Sequence, residues 1–147
     1  MSIEDDVALL ARVPALNLLG MAALQVLAIG AEQRNYNVGD KLFRIGEMAD
    51  GGFVVRRGSF KVSGDGLKHE IIAGPGTLIG ELALMVEMPR PATATALESS
   101  SAVRVSRTLY QRVLESHPDA ARRVRDDLAA RTNEAASSIA KLTTKLI

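Results

Sequence analysis

Two charged side chains, Glu81 and Arg90, stand nine positions apart in a stretch, 79–96, that carries only one other charge, Glu87. A carboxylate accepts hydrogen bonds from hydroxyls. A guanidinium is always ionised and offers two parallel donors to an anion. The pair therefore suits a ligand with a hydroxyl at one end and an anionic group at the other. Plainer roles are open to both: Glu81 can cap the helical turn it starts, and Arg90 can pair with Glu81 or Glu87 or stand on the surface. Gly80-Glu81-Leu82-Ala83 opens a short apolar helical turn, and the free N–H groups of Leu82 and Ala83 would point out of its start towards an anion. Pro89-Arg90 closes the segment, followed by the small-residue run Ala92-Thr93-Ala94-Thr95-Ala96.

Other chemistry finds little support. The chain has two histidines, His69 and His117, in a hairpin and just before a helix. A metal enzyme on a β scaffold needs several His and carboxylate ligands converging on one ion. No nucleophile–base spacing and no phosphate-binding glycine loop of the nucleotide-hydrolase kind is present. There is no cysteine, so no disulfide framework, which fits a reducing compartment. Lys plus Arg number 18 against 17 Asp plus Glu, a net charge of +1 that gives no bulk pull to nucleic acid or an anionic membrane. No apolar run approaches the ~20 residues needed to span a bilayer. The acidic start MSIEDD argues against a secretory signal. The expectation is a cytoplasmic protein without catalytic activity or cofactor.

The elements that must position Glu81 and Arg90 follow from periodicity. The 147 residues suit a single domain, 1–147, in three parts. Residues 1–33 are helical: Ser2 caps a first helix that Pro14 ends, and a second runs over 20–33 with Met21, Leu24, Leu27 and Ala28 on one face. Over 34–106 glycines recur between short alternating runs, among them 41–44, 53–57 and 60–62. Gly64-Asp65-Gly66 reverses the chain into a partner strand at 69–73, and Ala102-Val103-Arg104-Val105-Ser106 places both valines on one face. About eight such strands make a β-roll or jelly roll. Over 107–147 helix returns: 109–115, then Pro118 in the first turn of a last helix reaching the C-terminus. The fold class is mainly β with flanking α.

GELALMVEMPRPATATA, residues 80–96, resembles the phosphate-binding cassette of cyclic nucleotide-binding domains: a Gly-Glu-Leu-Ala start, a helical turn, then Arg and small residues entering a strand. Val38-Gly39-Asp40, Ile45-Gly46-Glu47-Met48-Ala49-Asp50 and the strand pair 53–62 with Gly58 at its hinge resemble the family's upstream part, so the resemblance covers roughly residues 14–135. It implies an eight-stranded β-roll flanked by helices. It also implies that Glu81 binds a ribose 2′-hydroxyl, that Arg90 pairs with a cyclic phosphate, and that the backbone of Gly80, Leu82 and Ala83 lines the pocket. Val62 and Ile72 would pack near the base. Pro91 and Ala92 follow the arginine, where the family usually has Ala, Ser or Thr with an N–H that reaches the phosphate. Pro91 has no N–H, which removes one charge-assisted bond of ~1.5–3 kcal/mol, one to two decades of affinity. It also lacks the hydroxyl that cGMP-preferring members use. The ligand expected is cAMP rather than cGMP, bound weakly; the alternative is a ligand-free β-roll kept as an interaction or dimerisation module.

The resemblance also implies that a helix after the roll closes over the base. The first half of the last helix is expected to pack on the roll. The second half, with Ala135, Ile139, Leu142 and Leu146, is expected to pair with a second copy or a protein effector. No helix-turn-helix is expected, and Arg122, Arg123 and Arg125 read as a solvated face, not a nucleic-acid or membrane surface.

Overall fold

The computed structural model describes the backbone of residues 2–64 and 70–146 and, within them, side chains as far as 133. The chain opens with α1 (Ile3–Ala11), whose start is fixed by a reciprocal cap: Ser2 Oγ accepts from Asp5 N–H while the Asp5 carboxylate accepts from Ser2 N–H. Pro14 occupies the first position of the short α2 (Pro14–Asn17). α3 (Met21–Gly30) buries Ala23, Leu24, Leu27 and Ala28. It ends three residues before the expected 33, because Glu32–Tyr36 is drawn into a strand, β1, and Met21 lies exposed at the helix start with Ala23 on the packed face instead.

The strands that follow are β2 (Lys41–Phe43), β3 (Met48–Ala49), β4 (Gly51–Arg57), β5 (Phe60–Ser63), β6 (Ile71–Ala73), β7 (Leu78–Ile79), β8 (Met88–Pro89), β9 (Thr93–Ala96) and β10 (Ser100–Ser106). Eight of them form two antiparallel four-stranded sheets, β1-β10-β4-β7 and β2-β9-β5-β6, facing one another as a jelly roll. The remaining pair, β3 and β8, makes a two-stranded ribbon against the cassette that alternation in the sequence does not reveal.

β4 is covered on both faces, which explains its unbroken apolar run. Phe53 and Val55 point between the sheets with Phe43, Phe60, Ala94 and Ala102; Val54 points the other way, into the helices with Val103 and Val105. Both valines of β10 therefore share the helical face, as their spacing implies. The link from β4 to β5 needs Gly58: its φ is +83°, and a Cβ there would sit 2.1 Å from Ser100 Oγ. The reversal at Gly64-Asp65-Gly66 and His69 fall on or beside residues outside those described.

β10 runs directly into α4 (Arg107–Ser116), with Ser106 as its cap, and α5 (Pro118–Leu146) follows. His117 joins the two helices, its Nδ1 3.0 Å from the Val113 carbonyl. α5 is tied to the N-terminal helices by Arg123, which donates to the carbonyls of Leu18 (2.6 Å) and Leu19 (2.9 Å). The expected apolar stripe at Ala135, Ile139, Leu142 and Leu146 lies outside the described side chains. Among the described residues, no helix is long and apolar enough to cross a membrane.

Candidate functional site

The segment that carries Glu81 and Arg90 folds back on itself so that its two ends meet. Gly80 adopts a left-handed conformation, φ +87°, and starts a 3₁₀ turn over Glu81–Leu84. Leu84 anchors this turn in the helical core and Ala83 is buried, while Leu82 stays exposed. β8 then leads to Arg90, which is clamped by its backbone: Arg90 N–H donates to the Glu47 carbonyl (2.7 Å) and Gly46 N–H donates to the Arg90 carbonyl (2.9 Å).

Arg90 is 5% exposed. Its guanidinium carbon lies 4.2 Å from the ring centre of Phe43 and 5.7 Å from that of Phe53. Among the described residues no carboxylate comes within salt-bridge distance of it. Burial lowers its pKa from the usual value; Asp50 opposes the shift, Arg104 adds to it and Glu47 opposes it. The group keeps its charge nonetheless, because an arginine does not deprotonate in a protein. A desolvated cation without a carboxylate partner is a costly arrangement in a fold that has no use for it. It is what a site for an anion requires. Gly80 makes room for it: a Cβ at that position would lie 2.7 Å from Arg90 Nη1.

Gly80, Glu81, Leu82, Ala83, Arg90 and Pro91 line one cavity of about 180 Å³, with Ala49 and Met88 completing the wall. Ala92, the seventh expected position, does not line it and is buried. Glu81 makes no cap to its own turn. Its Oε1 accepts instead from Arg131 Nη2 of α5 at 3.0 Å, and Arg131 Nε reaches Asp127 at 3.1 Å. The hydrogen bond to Glu81 and then its charge hold the Arg131 pKa above the ordinary value. Burial, followed by the Glu81 charge, raises the Tyr110 phenol beneath the turn.

The expected base contacts divide. Val62 pairs with Ile71 and Lys61 with Ile72 across β5 and β6. Opposed residues share a face and neighbours alternate. Ala73 is in the roll interior, so Ile71 and Val62 lie on that inner face and Ile72 points outwards. Ile71 is nonetheless 54% exposed, an inner-face residue left uncovered on the edge strand β6. Of the two expected positions, Val62 is therefore on the inner face and Ile72 on the outer one.

The family described as cyclic nucleotide-binding domain matches residues 33–117. The chain belongs to the cyclic nucleotide-binding domain family. Its relatives include a cyclic nucleotide-gated potassium channel of Mesorhizobium japonicum, 32% identical over 88% of this chain and 36% of the channel. Another is a cAMP-dependent protein kinase regulatory subunit of Debaryomyces hansenii, 32% identical over 54% of this chain and 18% of the subunit. Among solved structures, the N-terminal domain of a transcriptional regulator from Streptomyces coelicolor A3(2) superposes with a TM-score of 0.80 at 27% identity, over 89% of this chain and 94% of that one. The chain spans about a third of the channel's length and less of the kinase subunit's.

As a cyclic nucleotide-binding domain, the chain has a jelly roll with helices at both ends and a segment, 80–96, in the cassette's place. Arg131, which together with Ser138 interrupts the apolar stripe of the last helix in the sequence, is joined to the site through Glu81. Among the described residues no group of three or more His, Cys, Asp or Glu side chains is placed to hold a metal ion.

Proposed function

We propose that this chain is a non-enzymatic sensor domain that binds a cyclic nucleotide, cAMP in preference to cGMP, and passes its occupancy through α5 to a protein effector or a second copy. The observation that carries this reading is the buried Arg90 guanidinium in the wall of the cavity, within salt-bridge distance of no carboxylate among the described residues. A cyclic phosphate supplies the missing charge. Glu81 accepts from the ribose 2′-hydroxyl. The cavity's 180 Å³ is below the ~300–1,000 Å³ usual for a whole ligand, so the purine lies partly outside it, over Val62 and Ile71. A cytoplasmic setting is part of the proposal, and no direct contact with nucleic acid or membrane is.

Glu81 also supports the relay. One carboxylate oxygen holds Arg131 on α5 and the other remains for the ribose, so ligand and helix meet on one side chain. A ligand shifts the position of α5 to the extent that it binds one arrangement better than the other.

Isothermal titration with cAMP and cGMP tests the proposal; absence of heat and of any thermal shift at millimolar nucleotide would sink it. That result favours the second reading, a ligand-free β-roll, which Pro91 supports by withholding an N–H from the site. Pro91→Ala restores that donor, and the expected result is an affinity for cAMP about tenfold tighter by titration. Equal affinity would show that the missing N–H is not what limits binding. The base position has its own test: Ile71→Lys weakens nucleotide binding several-fold whereas Ile72→Lys on the outer face leaves it unchanged. The opposite ranking would refute the register argument.

A further inference from the structure

One side chain outside the cavity holds both halves of the cassette at once. Arg107 is the first residue of α4. Its Nη1 lies 3.0 Å from the Ala49 carbonyl, 3.2 Å from that of Ala83 and 3.1 Å from that of Val86. Ala83 belongs to the 3₁₀ turn that presents Glu81, and Val86 follows it. Carbonyls at the end of a helical turn have no partner within it and carry partial negative charge. Ala49 lies on β3, whose partner β8 leads straight into Arg90. The backbone adds a fourth tie, Arg107 N–H donating to the Asp50 carbonyl at 2.7 Å. Among the described residues Arg107 forms no ion pair, so its charge is directed at the three carbonyls.

We propose that Arg107 is a positioning residue for the nucleotide site, setting the Glu81 turn against the Arg90 strand and making both move with α4. This rests on the reading of the cavity as a nucleotide site. The α4 helix packs on the 3₁₀ turn, on β4 and on α5, so a guanidinium at its first residue joins the cassette to the helices by a polar tie as well as by packing. An aliphatic side chain here keeps the packing and loses the tie. A lysine keeps the charge and offers three donors from a single nitrogen, so it can reach part of the same set.

The experiment compares the wild type with Arg107→Met, Arg107→Gln and Arg107→Lys. Circular dichroism reports folding, titration reports cAMP affinity, and amide hydrogen exchange is followed over 80–92 and α4 with and without saturating cAMP. Expected for Arg107→Met is a cAMP affinity about ten- to a hundredfold weaker, as for loss of charge-assisted bonds that order a site. At nucleotide concentrations that saturate this variant, the protection that cAMP confers on α4 in the wild type is expected to be lost. Arg107→Lys recovers most of both effects. If Arg107→Met does not fold, Arg107→Gln, which keeps a neutral donor, carries the same expectation with smaller size. An affinity within twofold of wild type overturns the inference. So does α4 protection that survives in full in the saturated variant, since a merely structural role predicts lower stability with ligand-linked protection intact. A wild type that binds no nucleotide overturns the parent reading and this inference with it; a wild type that binds while Arg107→Met binds equally overturns the inference alone.

Discussion

Arg90→Met is expected to abolish measurable nucleotide binding while leaving the ligand-free domain at least as stable as the wild type. The two effects have opposite signs because they come from the same property of the side chain. Two parallel charge-assisted bonds to a phosphate, at ~1.5–3 kcal/mol each, amount to about 3–6 kcal/mol, or roughly two to four decades of affinity. In the ligand-free domain that guanidinium is 5% exposed and has no carboxylate partner among the described residues. Desolvating an ion costs several kcal/mol even after relaxation. The contact with Phe43 at 4.2 Å returns only ~1–2 kcal/mol of this. Methionine fills similar space, packs well on aromatic rings and carries no charge. Titration with cAMP and urea denaturation of both proteins check the result. Affinity within threefold of wild type would falsify the phosphate role. A loss of more than ~2 kcal/mol of stability would show that the guanidinium supports the fold and is not held ready for an anion.

Gly80→Ala is expected to damage stability and binding together. Its φ of +87° is a left-handed conformation in which an alanine costs ~1–2 kcal/mol. The added Cβ also meets Arg90 Nη1 at 2.7 Å and the Gly51 carbonyl oxygen at 3.4 Å. Arg90 cannot retreat freely, because its backbone is clamped to Gly46 and Glu47 and its side chain lies against two phenylalanines. The guanidinium shifts out of the line on which a phosphate would sit, and cAMP affinity falls by about one to two decades. The steric part separates from the backbone part in a double-mutant cycle. In an Arg90→Ala background, Gly80→Ala should cost about 1 kcal/mol less than in the wild type, since the clashing nitrogen is gone. Four urea denaturation curves measure this; strict additivity would mean that the two residues do not touch.

Much of this arrangement is legible from residue types and spacing, and the rest fails for identifiable reasons. Ser2 announces the first helix because a cap and its partner lie three residues apart. Val103 and Val105 announce the face of β10 because that strand is long enough to show its period. Ile71 and Ile72 do not announce theirs: in a three-residue strand the phase is set by the partner, and only pairing with Val62 shows which isoleucine turns inwards. The ribbon of Met48–Ala49 with Met88–Pro89 has two residues a side, too few for any period. Glu81 and Arg90 stand out as one carboxylate and one guanidinium in a nearly uncharged stretch. Arg131 and Arg107 do not, because their partners lie 50 residues away or, for Arg107, are backbone carbonyls, which leave no mark in a sequence. The helical turn at Glu81 is legible as a turn but not as 3₁₀, since four residues satisfy either geometry.

The two attachments of α5 have a mechanical consequence. Arg123 grips the Leu18 and Leu19 carbonyls, and Arg131 grips Glu81. At ~1.5 Å of rise per residue these grips are about 12 Å apart, and the helix end at Leu146 is about 34 Å from the first. If the proposed relay turns a rigid α5 about Arg123, the helix geometry gives it a gearing of nearly three. A displacement of 1 Å at Glu81, no more than the difference between a direct contact and a loosened one, becomes about 3 Å at the tip.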